Sequence, residues 1–280
     1  MSHLAPTLLA FFTPRSGGSP NANEIDSLYK IVLYLAIVIF VGVVGVLCYA
    51  LYKFRARRGR VAQQIHGNTR LELGWTAGAV GILVIIAIAM FLKLGAIVNP
   101  PDSGATGITL GADGESGRLY ASATRHLPPN GKSLEITVVG RQFIWQYIYP
   151  GGAGDGLGAP YSFEEMVVPT ETTVTLNVVS DDVVHSWWIP ELGGKLQAVP
   201  GYHNYGWFKI SKPGVYKGQC ANICGRGHAR MIATVRALPP AQFEEWLATQ
   251  KRELSESEAA AASERAKLDA QRGTAQVENP

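Results

Sequence analysis

Two long stretches without a charged side chain limit what this chain can fold into. Ile31 to Tyr52 spans 22 residues and Leu73 to Leu92 spans 20, and neither contains Asp, Glu, Lys or Arg. As helices, both are long enough to cross about 30 Å of hydrocarbon. Buried helices of soluble proteins are usually shorter and carry a polar stripe. A composition that is 47% hydrophobic and only 17% charged therefore predicts a membrane protein with two spans.

The flanking charges predict the orientation of these spans, because Lys and Arg accumulate on the cytoplasmic side of membrane helices. The connection KFRARRGRVAQQIHGNTRLE contains Lys53, Arg55, Arg57, Arg58, Arg60 and Arg70, whereas residues 1–27 contain only Arg15. We expect the connection to be cytoplasmic and both termini to be extracytoplasmic, in a bacterial-type plasma membrane. The first dozen residues, MSHLAPTLLAFF, resemble a signal peptide only weakly.

The sequence divides into five segments. Residues 1–27 form an extracytoplasmic segment, 28–98 a transmembrane hairpin with spans at about 30–53 and 73–95, and 99–131 a linker rich in Gly, Pro, Ser and Asp. Residues 132–248 contain short runs of β-branched and aromatic residues separated by Gly and Pro, which predict an antiparallel β-sandwich or barrel closed by a short helix after Pro240. Residues 249–280 form a charged, Ala-rich tail that is either a solvated helix or disordered.

The stretch QCANICGRGHARM, residues 219–231, concentrates metal-binding side chains in a chain with only three cysteines. Cys220 and Cys224 are four residues apart, His228 follows after four more and Met231 after three more. A disulfide is one interpretation of the cysteine pair, since this domain is expected on the oxidising side of the membrane. Two thiolates, an imidazole and a thioether are instead the soft ligands that copper prefers, and zinc has little use for Met231. A pair of bridging thiolates suggests two copper ions.

A second imidazole ligand would have to come from elsewhere in the β domain. His185, in SDDVVHSWWIP, follows a predicted strand and precedes aromatic residues that would exclude water. The other histidines are in less suitable places, at the N-terminus, in the inner loop, in the linker and in a predicted turn: His3, His66, His126 and His203. Neither span contains histidine and no C-x-x-C-H motif is present, so we expect no haem in this chain. The outer domain has no basic cluster, which argues against nucleic-acid binding.

These motifs resemble subunit 2 of the haem-copper cytochrome c oxidases. The matching stretches are DDVVHSWWIPELGGKLQAVPG, KPGVYKGQCANICGRGHARM, GRQFIWQYIYP and NTRLELGWT. The resemblance implies a transmembrane hairpin followed by a cupredoxin-like Greek-key sandwich that holds the binuclear copper centre CuA. It implies that Cys220 and Cys224 bridge the two copper ions, that His185 and Met231 complete one of them, and that His228 and the backbone carbonyl of Asn222 complete the other.

The resemblance also implies a function and partners. Cytochrome c would reduce CuA, and the electrons would pass to haem in catalytic subunit 1, where oxygen is reduced to water and protons are pumped. Subunit 3 and membrane lipid are further expected partners. Family members dock cytochrome c through carboxylates, for which Asp181, Asp182, Glu164 and Glu165 are available. Glu72 matches a family carboxylate near the mouth of a proton pathway, although a solvated residue at a helix end would look the same.

Two positions depart from the family pattern. Asn222 replaces a glutamate whose side chain joins a magnesium site at the interface with the catalytic subunit, so the resemblance does not predict whether that magnesium ion is present here. The copper ligand at this position is the backbone carbonyl, which the replacement does not change. Phe143 replaces the tryptophan through which electrons usually enter, and Trp145 matches the second aromatic position. Either residue could serve as the entry point, and either could simply be packing.

Other functions use similar residues. A quinol oxidase subunit of the same fold lacks these copper ligands, whereas a CuA-bearing subunit of a nitric oxide reductase would share them and differ only in its partner. A copper-delivery or thiol redox protein would also use a cysteine pair with Met and His. Such a protein needs an exposed and labile site, whereas the aromatic residues around His185 predict a buried one.

Overall fold

The computed structural model describes residues 13–55, 64, 66–108, 121–122, 126–151 and 158–277. Two sequence predictions lie outside these residues. They are the weak resemblance of residues 1–12 to a signal peptide, and the central part of the basic connection with Arg57, Arg58 and Arg60.

Two long apolar helices open the described chain, α1 (Pro20–Lys53) and α2 (Thr69–Val98). Their most apolar 18-residue windows have mean hydropathies of 3.1 and 2.7, and no residue of either window is buried within the chain. Helix α1 begins well before the predicted edge of the span near residue 30, because Pro20 stands at a position that favours helix starts and the polar first turns pack against the β domain. Asn68 directly precedes helix α2, and its side chain accepts a hydrogen bond from the Leu71 amide and so caps the helix.

The β domain contains eleven strands in the described chain. They are β1 (Ala121–Ser122), β2 (Leu134–Arg141), β3 (Ile144–Ile148), β4 (Tyr161–Phe163), β5 (Glu165–Pro169), β6 (Thr173–Ser180), β7 (His185–Trp187), β8 (Leu196–Ala198), β9 (Tyr202–Lys209), β10 (Gly214–Gln219) and β11 (Ile232–Leu238). One sheet has the order β1-β9-β6-β2-β3-β4, a second has β10-β11-β5, and β7 pairs with β8. The two larger sheets enclose a core of buried aliphatic and aromatic side chains. The predicted two-helix hairpin followed by a cupredoxin-like β domain is confirmed.

The prediction of an antiparallel domain is wrong for three strand pairs. Strand β2 runs parallel to β6, β5 parallel to β11 and β1 parallel to β9. Parallel neighbours need a long connection that returns the chain to the same end of the sheet. The connection from β2 to β6 supplies it, since the chain forms β3, β4 and β5 on the way.

The C-terminal helix α3 (Pro240–Val277) is longer than predicted and includes most of the tail. Its first turns bury Phe243 and Leu247, and Trp246 packs edge-on against Tyr149 at 5.0 Å. Beyond Leu254 the described side chains are exposed. The Ala-rich composition accounts for the continued helix, because alanine has the most favourable intrinsic helix propensity.

Strand β9 joins the β domain to the membrane hairpin. The Asn21 side chain at the start of α1 donates to Trp207 O at 2.8 Å, and the Trp207 indole donates to Val98 O at the end of α2 at 2.9 Å. The Lys209 amide donates to the Ser19 hydroxyl at 3.1 Å. Residues of both helices, and Ser19 just before α1, are therefore hydrogen-bonded to strand β9. These bonds fix the β domain over one end of the hairpin.

Strands β2 and β6 lead away from this junction. Thr173 at the start of β6 pairs with Lys209, next to the hairpin, whereas Ser180 at its end pairs with Gly140. Seven residues at about 3.3 Å per residue put roughly 20 Å between the two ends of the strand. The loops that follow Gly140 and Ser180 lie at the end of the sheet distant from the membrane helices, and we call this end the tip of the domain.

Candidate metal centre

Metal-ligating side chains from two separate stretches of sequence meet at the tip. One ligand atom each of His185, Cys220 and Cys224 lies within 4.8 Å of the other two, and all three residues are buried. His185 is the first residue of β7, and the cysteines lie in the loop between β10 and β11. Both cysteines are free thiols. This is the one cluster of three or more His, Cys, Asp or Glu side chains with metal-site geometry in the part of the chain that the structure describes.

The remaining predicted ligands surround these three residues. Cys224 Sγ lies 3.6 Å from His228 Nδ1 and 4.0 Å from Met231 Sδ. Cys220 Sγ lies 4.0 Å from His185 Nδ1 and 3.3 Å from the carbonyl oxygen of Asn222. Every atom that the sequence predicted as a ligand therefore lies in one cluster, and the sulfur-rich donor set suits a soft metal ion. That the cluster binds copper stays a prediction.

Backbone hydrogen bonds hold the ligand loop against its neighbours. The Cys220 amide donates to Met231 O at 2.9 Å and closes the loop, and the Ala221 amide donates to Ser186 O at 2.8 Å. The Asn222 side chain donates to Val184 O at 3.3 Å. Asn222 therefore attaches the cysteine loop to the segment that carries His185, a role that its position in the sequence did not indicate.

The Phe143 ring packs so closely against the loop that carries Cys220 and Cys224 that two positions of this loop have no room for a side chain. A Cβ atom at Gly227 would overlap the Phe143 ring, and one at Gly225 would lie 3.0 Å from Phe143 Cε1. Gly225 also has a φ of +136°, a conformation that residues with a side chain rarely adopt. The Gln142 side chain donates to Cys224 O at 2.5 Å. The turn between β2 and β3 thus covers the cysteine loop, a contact across 82 residues that sequence spacing could not reveal.

Asp182 contacts the first ligand directly. His185 Nε2 lies 2.8 Å from Asp182 Oδ1, so a proton on Nε2 leaves the lone pair of Nδ1 directed at the cysteines. Burial alone would raise the pKa of Asp182. The hydrogen bonds from His185 and from the Gln142 and Val183 amides outweigh it and lower the pKa below its ordinary value. The sequence predicted Asp182 only as a docking carboxylate and missed this contact.

The cysteine thiols affect each other. Burial, and then the charge of Cys220, raise the pKa of Cys224 to about 11 from an ordinary value of 9.0. Without a metal ion, the thiol form is therefore favoured at neutral pH. A bound cation would reverse this preference, because it stabilises the thiolate.

The two predicted entry residues have different environments. Trp145 is completely buried and makes an edge-on contact with the His185 ring at 5.8 Å, and its indole N–H has no hydrogen-bond partner among the described residues. Phe143 is only partly buried and lies over the cysteine loop. Of the two side chains, only Phe143 is open to an approaching protein. Electron entry through either residue stays a prediction.

Three of the four predicted docking carboxylates already have partners. Asp181 forms a salt bridge with Arg141 at 2.6 Å and Glu165 forms one with Arg236 at 3.0 Å, while Asp182 accepts from His185. Glu164 is exposed and has no ion pair with another described residue. Their docking role stays a prediction, but the salt bridges reduce the negative charge that they present.

Two further sequence predictions concern residues away from the cluster. Glu72 lies in the first turn of α2, and its carboxylate accepts from the Asn68 amide at 3.3 Å, so it has a capping role. Its place in a proton pathway stays a prediction. His203 lies in β9 instead of a turn, and its ring is hydrogen-bonded to Asn177 at 2.8 Å. It is not part of the cluster.

Comparisons with known proteins cover both parts of the chain. Residues 161–238 match the family described as the periplasmic domain of cytochrome c oxidase subunit II, and residues 9–92 match the transmembrane domain of that subunit. A probable cytochrome c oxidase subunit 2 of Rickettsia bellii is 29% identical over 267 residues, which cover 90% of this chain and 86% of that protein.

Two other proteins give similar results. Cytochrome c oxidase subunit 2 of Zea mays is 30% identical over 243 residues, covering 84% of this chain and 88% of that protein. The periplasmic domain of subunit II of cytochrome oxidase (CoxB) of Bradyrhizobium japonicum, known from a crystal structure, is 32% identical in sequence, with a TM-score of 0.40. The match covers 43% of this chain and 95% of the CoxB domain.

Proposed function

The chain belongs to the cytochrome c oxidase subunit II family, and from this premise we propose that it is the electron-accepting subunit of a proton-pumping haem-copper oxidase. In this role it takes electrons from cytochrome c at a binuclear CuA centre. The electrons pass to haem in catalytic subunit 1, which reduces oxygen to water. The family assignment rests on two family matches that together cover 162 of the 280 residues, 78 from 161–238 and 84 from 9–92.

One observation carries the proposal: two free thiols, two imidazoles, a thioether and a main-chain carbonyl lie in one cluster, and four of its six residues are buried. His185, Cys220, Cys224 and Met231 are all less than a tenth exposed. Two cysteine sulfurs could bridge two metal ions. The other four donors would then be enough to give each ion two further ligands. The donor set thus fits a pair of copper ions better than a single zinc or calcium ion.

Copper bound in this cluster supplies one-electron redox chemistry. The protein holds the ligands with little freedom to move, because the loop is hydrogen-bonded to β7 and covered by the turn between β2 and β3. Asp182 orients the His185 ring, and Trp145 excludes water from one side of it. A rigid and dry ligand set limits the rearrangement that accompanies a change in charge, which favours fast electron transfer.

The membrane hairpin supports the expected place of this subunit in the complex. No residue in the most apolar window of either helix is buried within the chain, so lipid and neighbouring membrane subunits are natural partners of the helices. We propose subunit 1 and subunit 3 as those neighbours. The excess of Lys and Arg in the connection between the helices supports a cytoplasmic connection and an extracytoplasmic copper centre.

The burial of the cluster weighs against the alternative of copper delivery or thiol exchange. Such proteins need a reactive thiol within reach of a partner, whereas Cys220 is 2% exposed and Cys224 is 6% exposed. A CuA-bearing subunit of a nitric oxide reductase has the same ligand set, and it differs in the catalytic subunit with which it assembles. A magnesium site like that of the family would lack one carboxylate ligand here, because position 222 is Asn, whose amide donates to Val184 O.

The test is to purify the complex that contains the full chain, measure copper per chain and record its electron paramagnetic resonance spectrum. The proposal expects two copper ions in this subunit that share one unpaired electron, together with reduction by cytochrome c and uptake of oxygen. A single copper ion, zinc, or a metal-free disulfide between Cys220 and Cys224 would contradict it. Consumption of nitric oxide without consumption of oxygen would instead identify the chain as a subunit of a nitric oxide reductase.

A further inference from the structure

An apolar cavity of about 140 Å³ lies where the β domain meets the membrane hairpin. Apolar side chains from both parts of the chain line it, among them Ile25, Ile97, Leu192, Leu196, Trp207 and Phe208. Ile25 is in α1 and Ile97 in α2, whereas the other four belong to the β domain. Cavities of about 150 Å³ with a similar lining stay dry and bind small apolar molecules. None of the predicted copper ligands lines this cavity, so it is a separate place for part of an apolar ligand.

The cavity begins close to the edge of the hydrocarbon. Ile97 lies two residues beyond the predicted end of its span, and Ile25 lies five residues before the predicted start of the other span. At 1.5 Å per residue, these separations correspond to about 3 Å and about 8 Å along the helices. The Trp207 indole donates to the last residue of α2 at 2.9 Å, and tryptophans with an apolar ring and a polar N–H are typical of the boundary between hydrocarbon and water. An acyl chain of the adjacent leaflet is therefore within reach of the cavity.

Lys195 adds a positive charge to the cavity. It is exposed, and its ammonium group lies 5.2 Å from the centre of the Trp188 ring and has no ion pair with another described residue. The two lysines in this half of the hairpin are in salt bridges of 2.6 Å instead, Lys30 with Asp26 and Lys93 with Glu24. A lysine near a membrane surface attracts anionic lipid headgroups. The charge next to the apolar lining therefore complements a molecule with an apolar chain and an anionic group.

Gly194 forms part of the cavity wall without a side chain and is exposed, as is its neighbour Lys195. The cavity therefore reaches the surface of the chain at these two residues. A Cβ atom at Gly194 would lie 3.8 Å from Ile25 Cδ1, an ordinary contact. The position thus has room for a side chain, and that side chain would extend toward Ile25 on another part of the wall. A larger residue at position 194 is expected to fill the cavity without removing an existing contact.

We infer that this cavity binds an acyl chain of a phospholipid from the leaflet next to the β domain, and that Lys195 binds the anionic headgroup of the same molecule. Burial of apolar area favours the chain, and the charge of Lys195 favours a headgroup with a net negative charge. The bound lipid fills a space between the hairpin and the β domain that the chain itself leaves open. The inference depends on the membrane location of the two helices and is independent of the metal centre.

A photoactivatable lipid tests where the chain binds. The purified complex that contains the full chain is reconstituted into phosphatidylcholine nanodiscs with a small fraction of phosphatidylglycerol that carries a diazirine at the end of one acyl chain. Crosslinked peptides are then identified by mass spectrometry. We expect crosslinks to Leu196, Trp207 or Phe208, which lie in the β domain outside both spans. Crosslinks confined to the two spans, as bulk lipid would produce, would overturn the inference.

Two substitutions test the cavity and its charge separately. We expect Gly194→Leu to reduce crosslinking to the β domain by about tenfold, because its side chain occupies the cavity. Lys195→Glu leaves the cavity open and should reduce the yield by about fivefold with the phosphatidylglycerol probe and much less with a phosphatidylcholine probe. Gly214→Leu and Lys217→Glu are the matched controls, since a Cβ atom at Gly214 also makes a contact at 3.8 Å, Lys217 is exposed, and neither residue lines the cavity. Unchanged yields in both cavity variants would overturn the inference.

The composition of the complex distinguishes a lipid from a protein in the cavity. Native mass spectrometry measures the subunits and the lipids retained by each variant. Loss of one phospholipid from Gly194→Leu, with all subunits retained, supports the inference. Release of a partner subunit from Gly194→Leu, with no crosslink to the β domain of the unsubstituted complex, would show that a side chain of that subunit occupies the cavity and would overturn the inference. Copper content, measured in parallel, tests the proposed function and does not affect this result.

Discussion

Asp182 Oδ1 lies 2.8 Å from His185 Nε2, on the side of the imidazole opposite the cysteine sulfurs. The carboxylate therefore determines which ring nitrogen carries the proton and which is free to bind a metal ion. The same carboxylate accepts from the Gln142 and Val183 amides, so it also connects the turn between β2 and β3 to the ligand. One side chain thus fixes the protonation and the orientation of the first predicted ligand.

Replacing Asp182 tests this relationship. We expect Asp182→Asn to lower the copper affinity of the subunit by roughly 10- to 100-fold and to raise the reduction potential of the centre, because a negative charge is removed beside it. Equilibrium copper titration and redox titration measure the two effects. Asp181→Asn is the control, since Asp181 pairs with Arg141 on a half-exposed surface and exposed ion pairs contribute about 0–1 kcal/mol. Equal effects of the two substitutions would show that only net charge matters.

Loss of one thiol should reduce the number of metal ions. With Cys224→Ser a single thiolate remains, and one sulfur cannot provide the paired bridges that hold two ions together. We expect copper per chain to fall from two to one or fewer, and the spectrum of a shared electron to disappear. Cys48→Ser removes a thiol of α1 outside the cluster and should retain both ions. Two copper ions in Cys224→Ser would exclude a role for Cys224 as a bridge.

The raised pKa of Cys224 predicts the pH dependence of the metal-free subunit. Its pKa of about 11 in the folded state exceeds the ordinary value of 9.0. The contribution of Cys224 to the free energy of unfolding is therefore fully present below pH 9 and is lost as the pH rises through 11. The thiolate is also the reactive form. We expect alkylation by iodoacetamide to be slow at pH 8 and to accelerate up to about pH 11, as measured by mass spectrometry of Cys224. A rate that levels off near pH 8 would contradict the raised pKa.

Gly227 should tolerate no side chain while Phe143 covers the loop. The added methyl group of Gly227→Ala would overlap the Phe143 ring, and overpacking of this kind costs about 1–3 kcal/mol. We expect a lower melting temperature and weaker copper retention in Gly227→Ala. Gly214→Ala is the matched control, because its new methyl group would lie 3.8 Å from the Tyr216 ring, an ordinary contact. Combining Gly227→Ala with Phe143→Ala removes the overlap, so the pair should lose less stability than the sum of the two single substitutions.

Much of the architecture follows from local sequence patterns. Charge-free runs of 22 and 20 residues are sufficient to predict two helices that span a membrane, because the thickness of the hydrocarbon fixes the required length. Five of the six predicted metal ligands lie within twelve residues, from Cys220 to Met231, so their proximity follows from covalent connection. His185 was found from its surroundings in the sequence, between a strand and a run of aromatic residues.

Other features depended on contacts between residues that are far apart in the chain. The parallel pairing of β2 with β6 follows from the path of the whole β domain, which strand patterns alone do not fix. Gln142 binds Cys224 O across 82 residues, and Trp207 binds Val98 O across 109. Sequence periodicity reports which face of an element is apolar, but it does not report which distant element packs against that face.

The sequence by itself determined the two membrane helices, the all-β character of the domain and the identity of the predicted ligands, because each depends on local composition and spacing. Only the tertiary structure decided that Asp182 orients His185, that salt bridges occupy Asp181 and Glu165, and that Ile223 is exposed at the tip. These features depend on distances between segments that the fold brings together, and those distances are set by packing of the complete core.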